Sequence, residues 1–348
     1  MTNIERVKMA LNGGLPDRIP VMAHIFMLAI REAGVTHREF RENPEVMARV
    51  MAAVTEKYDL DGVFFDLDTT LLASACGAEV IYPENAPAVV KGVQPRSLKQ
   101  LIDDISGVDL LASPRVRGYL EAVERLSAWG REHDRYIRAT AGQGPFSLAC
   151  LVTGMDEFMV SLADEDCEED VRRLIDATLA VSIRMHELVF KAGAPSMSYG
   201  NSSEGCSVIS PRMFRKFCKE PETRLAAELR RRGIPTMCHI CGDVGPILPD
   251  LVETGCPAYE LDWLTDVKRI FELAHGKFVL SGNVNPTLFS TGTPDEVYAA
   301  AKDVCDLYRG MGGLVLCSGC AIGPDTPEAN MRAFVRAGRD GASEKCKM

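Results

Sequence analysis

Eight short apolar segments, separated by longer segments of helical periodicity, constrain the fold of this 348-residue chain more than any other feature. The segments are 18–24, 62–68, 136–142, 194–200, 234–240, 258–263, 277–284 and 312–319. Each is nearly continuous in apolar residues, which is typical of a strand buried on both faces of a parallel sheet. Eight such strands with helical crossovers predict an α/β fold of the (β/α)8 TIM-barrel type.

Polar residues follow the predicted strands, and their positions help to distinguish the barrel from a doubly wound open sheet, the competing architecture. They are His24, Asp66, Asp68, Gln143, Tyr199, Asn201, His239, Cys241, Asp262, Asn283 and Cys320. Barrel enzymes assemble their sites from residues at the C-terminal ends of the strands. The pattern therefore favours a barrel with its site at that face.

The chain contains no linker, low-complexity segment or short internal repeat that would divide it. We therefore expect one domain over residues 1–340, with additional helices within 70–135 and 143–170. The last residues, 341–348, are predicted to form a frayed C-terminal tail.

Composition excludes several classes of partner. The formal net charge is −10, which argues against nucleic acid. No apolar run reaches the roughly 18 residues that a membrane span needs. The N-terminus lacks the uninterrupted apolar core of a signal peptide. We expect a cytoplasmic protein without a membrane partner, in which the twelve cysteines stay reduced.

Three residues are candidate metal ligands. His239 and Cys241 lie two positions apart at a strand end, so their side chains point to the same side, whereas Cys238 points to the other. Zinc favours imidazole nitrogen and thiolate sulfur. Cys320 follows the last apolar run, where a loop can bend inward, while Cys317 lies within that run. For each cysteine, a buried core thiol is the alternative.

Four segments resemble the uroporphyrinogen decarboxylase superfamily, in particular its corrinoid-linked methyltransferase branch. They are ERVKMALNGGLPDRIPV near the N-terminus, ISPRMFRKF after the fourth predicted strand, LSGNVNP in the seventh, and SGCAIGPDTPEAN near the C-terminus. The resemblance runs nearly end to end and implies the barrel fold of that superfamily.

The resemblance also implies a ligand set. The methylcobamide:thiol methyltransferases of this branch carry His-x-Cys and a distant Cys on zinc, a pattern matched here by His239, Cys241 and Cys320. True decarboxylases carry an Arg-Gln-Ala-Gly-Arg type segment after the first strand, and the equivalent stretch here, HIFMLAIREAG, lacks that arginine pair. Asp68 falls where the decarboxylases keep their key aspartate, which leaves decarboxylation as an alternative.

The function implied by the resemblance is zinc-dependent methyl transfer between a corrinoid, supplied by a separate corrinoid-binding protein, and a small thiol. Zinc would keep the thiol deprotonated, and the thiolate would attack the methyl group of methyl-cobalamin. The first alternative reverses the direction, with a methylated small molecule such as a methyl ether or methylamine as the donor. A tetrapyrrole decarboxylase and a non-catalytic zinc-stabilised protein are the others.

Further polar residues are candidates for the remaining positions of the site. Glu204, Glu260 and Asp262 are candidates for a fourth ligand or for a partner of His239. The candidates for the substrate pocket are His24, Asp66, Asp68, Gln143, Tyr199, Asn201 and Asn283. A structural role, as a helix cap, a loop anchor or a satisfied buried group, is the alternative for each.

Overall fold

The main sheet of the computed structural model, which describes residues 1–91 and 96–340, contains seven parallel strands in the order β1-β4-β5-β6-β7-β8-β9. Strands β2 and β3 form a separate antiparallel hairpin. The strands are β1 Gly62–Phe65, β2 Val80–Ile81, β3 Val89–Val90, β4 Tyr136–Gln143, β5 Ser196–Gly200, β6 Thr236–Ile240, β7 Ala258–Leu261, β8 Val279–Val284 and β9 Leu314–Ser318. The predicted tail, 341–348, lies outside the described residues.

Helices occupy the connections between the sheet strands. They are α1 Asn3–Leu11, α2 Phe26–Glu32, α3 His37–Glu42, α4 Pro44–Tyr58, α5 Leu71–Ala75, α6 Leu98–Ser106, α7 Pro114–Glu132, α8 Pro145–Thr153, α9 Met155–Ala163, α10 Glu168–Lys191, α11 Pro211–Met213, α12 Lys219–Arg231, α13 Leu248–Thr254, α14 Val267–Ala274, α15 Leu288–Thr291, α16 Pro294–Leu307 and α17 Glu328–Asp340. Short 3-10 helices lie at Leu110–Ala112, Glu165–Cys167 and Gly245–Ile247, and a π-helical turn at Phe214–Cys218. Capping boxes at Thr36, Ser97 and Thr293 satisfy the first amides of α3, α6 and α16.

Seven of the eight predicted strands are present, and the first, 18–24, differs from the prediction. Val21 forms a single parallel bridge to Leu316 of β9, and the Val21 carbonyl accepts a hydrogen bond from the amide of Asp61 beside β1. The segment therefore runs between the two edge strands without forming a ladder. The Val21 amide donates to the Asp61 carboxylate at 2.8 Å, so a side chain takes the place of a strand carbonyl.

The buried interior follows from the apolar runs. All eight residues of β4 are buried, and so are all residues of β6 and β9. One cluster of buried apolar side chains extends from Ile19 to Ala337 and packs the sheet against its helices. Because all seven strands are parallel, their carboxyl ends lie at the same edge, where the predicted site residues are concentrated.

Within residues 1–91 and 96–340, no single helix is both long and apolar enough to cross a bilayer. The helix pair α8 and α9 reaches that length and composition only together, and it is bent by 111° at the break.

Asp61 anchors the N-terminal segment to the sheet, and its removal tests that role. The carboxylate is 1% exposed and accepts hydrogen bonds from Arg6 and Arg18 at 2.7 Å. Asp61→Asn leaves Arg18 without its anion and Arg6 with Asp17 alone, and we expect the free energy of unfolding to fall by about 3 kcal/mol in urea titrations. Glu121→Gln, which breaks an exposed pair with Arg125, is the control and should change little. Equal effects of the two substitutions would contradict the anchoring role.

Candidate metal centre

His239, Cys241 and Cys320 bring three potential ligand atoms together at the carboxyl edge of the sheet. All three atoms lie within 4.8 Å of one another. His239 Nε2 is 3.2 Å from Cys241 Sγ and 3.8 Å from Cys320 Sγ. A tetrahedral zinc ion with its usual bond lengths separates a nitrogen and a sulfur ligand by about 3.6 Å. The three groups therefore fit zinc in both donor type and spacing.

The turn after β6 presents the first two of these side chains. Strand alternation points His239 toward the pocket and buries Cys238 on the opposite side, where Asn201 Nδ2 lies 3.5 Å from its sulfur. Gly242 turns the chain directly after Cys241, with a φ of 82°. The Gly242 amide donates to an oxygen of Asp262 at 2.8 Å. Asp262 thus holds the turn that carries Cys241.

The loop after β9 crosses the ends of two strands to bring in the third side chain. Strands β7 and β8 separate β6 from β9 in the sheet, so Cys320 must reach over them. Gly319 allows the loop to pass, because any other residue would place its Cβ atom 2.6 Å from the Trp263 amide nitrogen. The Gly319 amide donates to the Val284 carbonyl at the end of β8 at 2.8 Å. Only a residue without a side chain permits the loop to pass so close to the neighbouring backbone.

Glu260 orients the imidazole of His239. Nδ1 of His239 lies 3.1 Å from the Glu260 backbone carbonyl and 3.3 Å from the Glu260 Oε1 atom. Both are acceptors, so the ring proton resides on Nδ1 and the lone pair of Nε2 faces the two sulfurs. The side chain of Glu260 therefore lies on the Nδ1 side of the ring, away from the sulfurs of Cys241 and Cys320.

Arg138 keeps Glu260 ionised in the interior. Glu260 is 0% exposed, and Nη2 of Arg138 donates to its Oε2 at 2.5 Å. Burial alone would raise the pKa of Glu260, but the positive charges of Arg138 and His24 lower it to about 2. The sequence reasoning missed Arg138, although an arginine inside an otherwise apolar strand signals a buried partner.

His24 and Asp66 form a second ion pair that lines the same pocket. Nε2 of His24 lies 3.0 Å from Oδ2 of Asp66, and its Nδ1 lies 3.6 Å from Glu260 Oε1. Burial would lower the pKa of His24, but the hydrogen bond to Asp66 and the negative charge of Glu260 raise it to about 10. His24 is therefore an imidazolium at neutral pH, with a proton on each ring nitrogen.

The two clustered cysteines differ in protonation. A hydrogen bond from the Cys241 thiol lowers the pKa of Cys320 to about 4, against the opposing effect of burial. The same hydrogen bond, together with burial, raises the pKa of Cys241 far above its usual value. The cluster thus stabilises a thiolate at Cys320 beside the imidazole, and a thiolate is the form of cysteine that binds metals.

The three clustered residues line a pocket of about 180 Å³ at the carboxyl edge. The predicted substrate-pocket residues that line it are His24, Asp66, Asp68, Gln143 and Tyr199. Phe26 and Phe64 add apolar surface. The Tyr199 hydroxyl donates to Glu222 at 2.6 Å and its ring packs against His186 of α10, so the ring faces the helices. The space is suited to a small molecule with one polar end.

The two predicted asparagines lie outside the pocket lining. Asn201 donates its side-chain amide to Glu222 at 2.9 Å, behind β5. Asn283 donates to the backbone carbonyls of Thr265 and Asp262 at 2.9 and 3.3 Å. Both therefore anchor loops around the site.

Three further acids, Asp68, Asp262 and Glu204, lie near the site but outside the cluster of ligand atoms. Arg115 donates to Asp68, and the other Asp68 oxygen accepts from the amide and hydroxyl of Thr70. Asp262 accepts backbone amides at both of its oxygens. Glu204 is 0% exposed and neither carboxyl oxygen has a hydrogen-bond partner among the described residues; burial and the adjacent Glu222 raise its pKa well above the usual value. None of these acids lies within the group of three clustered ligand atoms.

Comparison with known proteins gives consistent matches over nearly the whole chain. Residues 2–341 match the uroporphyrinogen decarboxylase (URO-D) family. The methylcobamide:CoM methyltransferase MtaA of Methanosarcina barkeri is 27% identical over 95% of this chain and 96% of its own. A uroporphyrinogen decarboxylase of Coxiella burnetii is 25% identical over 88% of this chain and 85% of its own. This chain is therefore similar to both methyltransferases and decarboxylases of the family.

A solved structure matches the fold at similar length. A methyltransferase from Methanosarcina mazei superposes with a TM-score of 0.87 at 26% identity, covering 98% of this chain and 99% of the other. The resemblance to the corrinoid-linked methyltransferase branch predicted from the sequence is thereby confirmed. On the match over residues 2–341, this chain belongs to the uroporphyrinogen decarboxylase family.

Proposed function

We propose that this protein is a zinc-dependent methyltransferase that moves a methyl group between a corrinoid on a separate protein and a small thiol. The observation that carries the proposal is the cluster of His239, Cys241 and Cys320 facing a small pocket. The likeness to a methylcobamide:CoM methyltransferase and to a solved methyltransferase structure supports the reaction class.

In this proposal His239 Nε2 and the sulfurs of Cys241 and Cys320 bind the zinc ion. Two thiolates and a neutral imidazole form a ligand set in which the fourth position is left to substrate, as in catalytic zinc sites. Zinc bound there keeps a substrate thiol deprotonated at neutral pH. Because Glu260 holds the proton of His239 on Nδ1, the nitrogen that faces the sulfurs is free to act as a ligand.

The three candidate acids serve as supports in this proposal and not as a fourth ligand. Glu260 lies behind the His239 ring and Asp262 is held by two backbone amides. Glu204 is fully buried and lies outside the cluster of ligand atoms. In the same pocket, His24 pairs with Asp66 at 3.0 Å and adds to the charge balance around Glu260.

The size of the pocket indicates which reactant enters it. A pocket of about 180 Å³ has room for a small thiol but not for a whole corrinoid ring. The corrinoid therefore approaches the open side of the pocket while carried by a partner protein. His24 and His239 both line the pocket in which the thiol would lie, with its sulfur toward the cysteines.

The same proposal includes a closed eight-stranded barrel, formed by one domain over residues 1–340. It also includes a cytoplasmic location. Segment 18–24 would take the place of the eighth strand, since Pro20 and Met22 exchange hydrogen bonds with Leu316 of β9 while Val21 bonds to Asp61 beside β1. The eleven cysteines of the described part of the chain are free, as a reducing compartment would keep them.

The alternatives differ in what they require of the site. A methyl-donor:corrinoid protein methyltransferase would use the same ligands with a methyl ether or methylamine in place of the thiol. A tetrapyrrole decarboxylase needs no metal and would depend on Asp68, whose two oxygens are bonded to Arg115 and Thr70. A non-catalytic zinc protein would bind the metal without turnover of methyl-cobalamin and thiol.

Cys320→Ala tests the ligand set. We expect the variant to fold but to retain almost no zinc and to lose methyl transfer, because a catalytic zinc does not hold a large domain together. Zinc content and transfer from methyl-cobalamin to a small thiol are the measurements. Cys238→Ala is the matched control and should keep both, since its side chain faces away from the pocket. The opposite pattern would refute the assignment.

The direction of transfer is tested by proton release. A thiol that binds to the zinc protein as a thiolate should release about one proton near pH 7, whereas a methyl ether or quaternary amine has none to release. Calorimetry in buffers of different ionisation enthalpy measures this number, with coenzyme M and homocysteine as first ligands. Failure of every thiol to bind, together with proton-free binding of a methylated donor, would favour the reverse direction.

A further inference from the structure

We propose that a second pocket, beside the metal pocket, binds a compact oxyanion such as the carboxylate or phosphate of a small molecule. This pocket, which we name the arginine pocket, has a volume of about 310 Å³. Its lining residues are Arg41, Glu42, Tyr82, Pro114, Arg115 and Gly118. It shares none of these residues with the lining of the metal pocket.

Arg41 is the observation from which the proposal starts. The residue is only 6% exposed, and its Nη2 donates to the backbone carbonyl of Pro83 at 3.0 Å. Across residues 1–91 and 96–340, no carboxylate forms an ion pair with its guanidinium, although pairs are present at Arg38 and Arg115. A buried cation without an anionic partner is costly, so a ligand that supplies the anion is favoured.

The arginines around the arginine pocket differ in their partners. Arg115 pairs with Asp68, and Arg38 pairs with Glu42 at 3.2 Å and with Glu84 at 3.7 Å. Arg41 has no such ion pair among the described residues. Burial lowers the pKa of Arg41, the charges of Asp68 and Glu42 offset this only in part, and Arg115 lowers it further.

The ring of Tyr82 contacts both guanidinium groups of the arginine pocket. The Cζ atoms of Arg41 and Arg115 lie 5.3 and 4.8 Å from the centre of its ring, and Nη1 of Arg115 donates to its hydroxyl at 3.3 Å. Planar guanidinium forks match the paired oxygens of carboxylates and phosphates, which they bind with two parallel hydrogen bonds. This chemistry selects an oxyanion over a halide or a neutral ligand.

Arg115 also connects the arginine pocket to the metal pocket. It donates to Asp68, which lines the metal pocket, while Arg115 itself lines the arginine pocket. The ion pair between Arg115 and Asp68 would therefore link an occupant of the arginine pocket to the metal pocket. The oxyanion site does not depend on the identity of the metal or on methyl transfer, so it can be tested separately from the proposed function.

The experiment titrates the full chain with inorganic phosphate or acetate, replacing chloride at constant ionic strength, and follows binding by calorimetry and by the thermal midpoint. We expect both the wild-type protein and the control Arg49→Gln, which removes an exposed arginine of α4, to bind and to be stabilised. Arg41→Gln should bind about ten-fold more weakly or worse, because a charge-assisted fork is lost. Preference for phosphate over acetate identifies a phosphate ligand, and the reverse identifies a carboxylate.

Two outcomes would overturn the proposal. One is the absence of stabilisation of the wild-type protein by either anion beyond that of chloride. The other is equal anion affinity of Arg41→Gln and Arg49→Gln. If circular dichroism shows that Arg41→Gln does not fold, Arg41→Lys replaces it, since lysine keeps the charge but lacks the fork. Unchanged affinity in Arg41→Lys would then contradict recognition by the guanidinium.

Discussion

A buried carboxylate, that of Glu260, determines the geometry of the candidate metal centre. A carboxylate that is 0% exposed requires compensation, and Arg138 supplies it from one side at 2.5 Å. The imidazoles of His24 and His239 approach from the other side. Since the backbone carbonyl and carboxylate of Glu260 both face Nδ1 of His239, the ring is oriented with Nε2 toward the two cysteines. The site therefore depends on the charges that surround Glu260 as much as on the three side chains that face the pocket.

The sheet brings these groups within reach of one another because its strands are parallel and end at one edge. Glu260 of β7 is the register partner of His239 of β6, so the two side chains are neighbours across the sheet. Cys320 comes from the more distant β9, and its loop reaches the site because Gly319 allows close contact with the backbone at Trp263. The pairing of β6 with β7 and the close backbone approach at Gly319 together bring His239 and Cys320, which are 81 positions apart, into one cluster.

Much of this architecture could be predicted from the sequence, since continuous apolar runs identified seven strands and their polar ends identified the edge of the site. The i, i+2 spacing of His239 and Cys241 predicted a shared side for the two side chains, and both line the metal pocket. Segment 18–24 was predicted as a strand because its composition is apolar. It pairs with Leu316 of β9 through backbone hydrogen bonds, but on the β1 side the Val21 amide bonds to the Asp61 carboxylate, a contact that spans 40 positions and has no local signal.

Partners of buried charges were the part that the sequence did not reveal. Strand alternation indicates which face a side chain takes, but it does not indicate which distant residue will neutralise it. Arg138 pairs with Glu260 across 122 positions. Tyr199 and Asn201 were predicted to line the substrate pocket, yet their polar atoms bond to Glu222, a glutamate within α12 that no motif distinguishes.

X-ray absorption at the zinc edge of the purified protein tests the central claim most directly, because it counts the sulfur and nitrogen atoms around the metal. The account predicts about one zinc per chain, with two sulfur neighbours at about 2.3 Å and the remaining neighbours nitrogen or oxygen at about 2.0–2.2 Å. A zinc surrounded only by nitrogen and oxygen, or a protein that binds no zinc when it is supplied, would contradict the assignment of His239, Cys241 and Cys320 as the metal ligands.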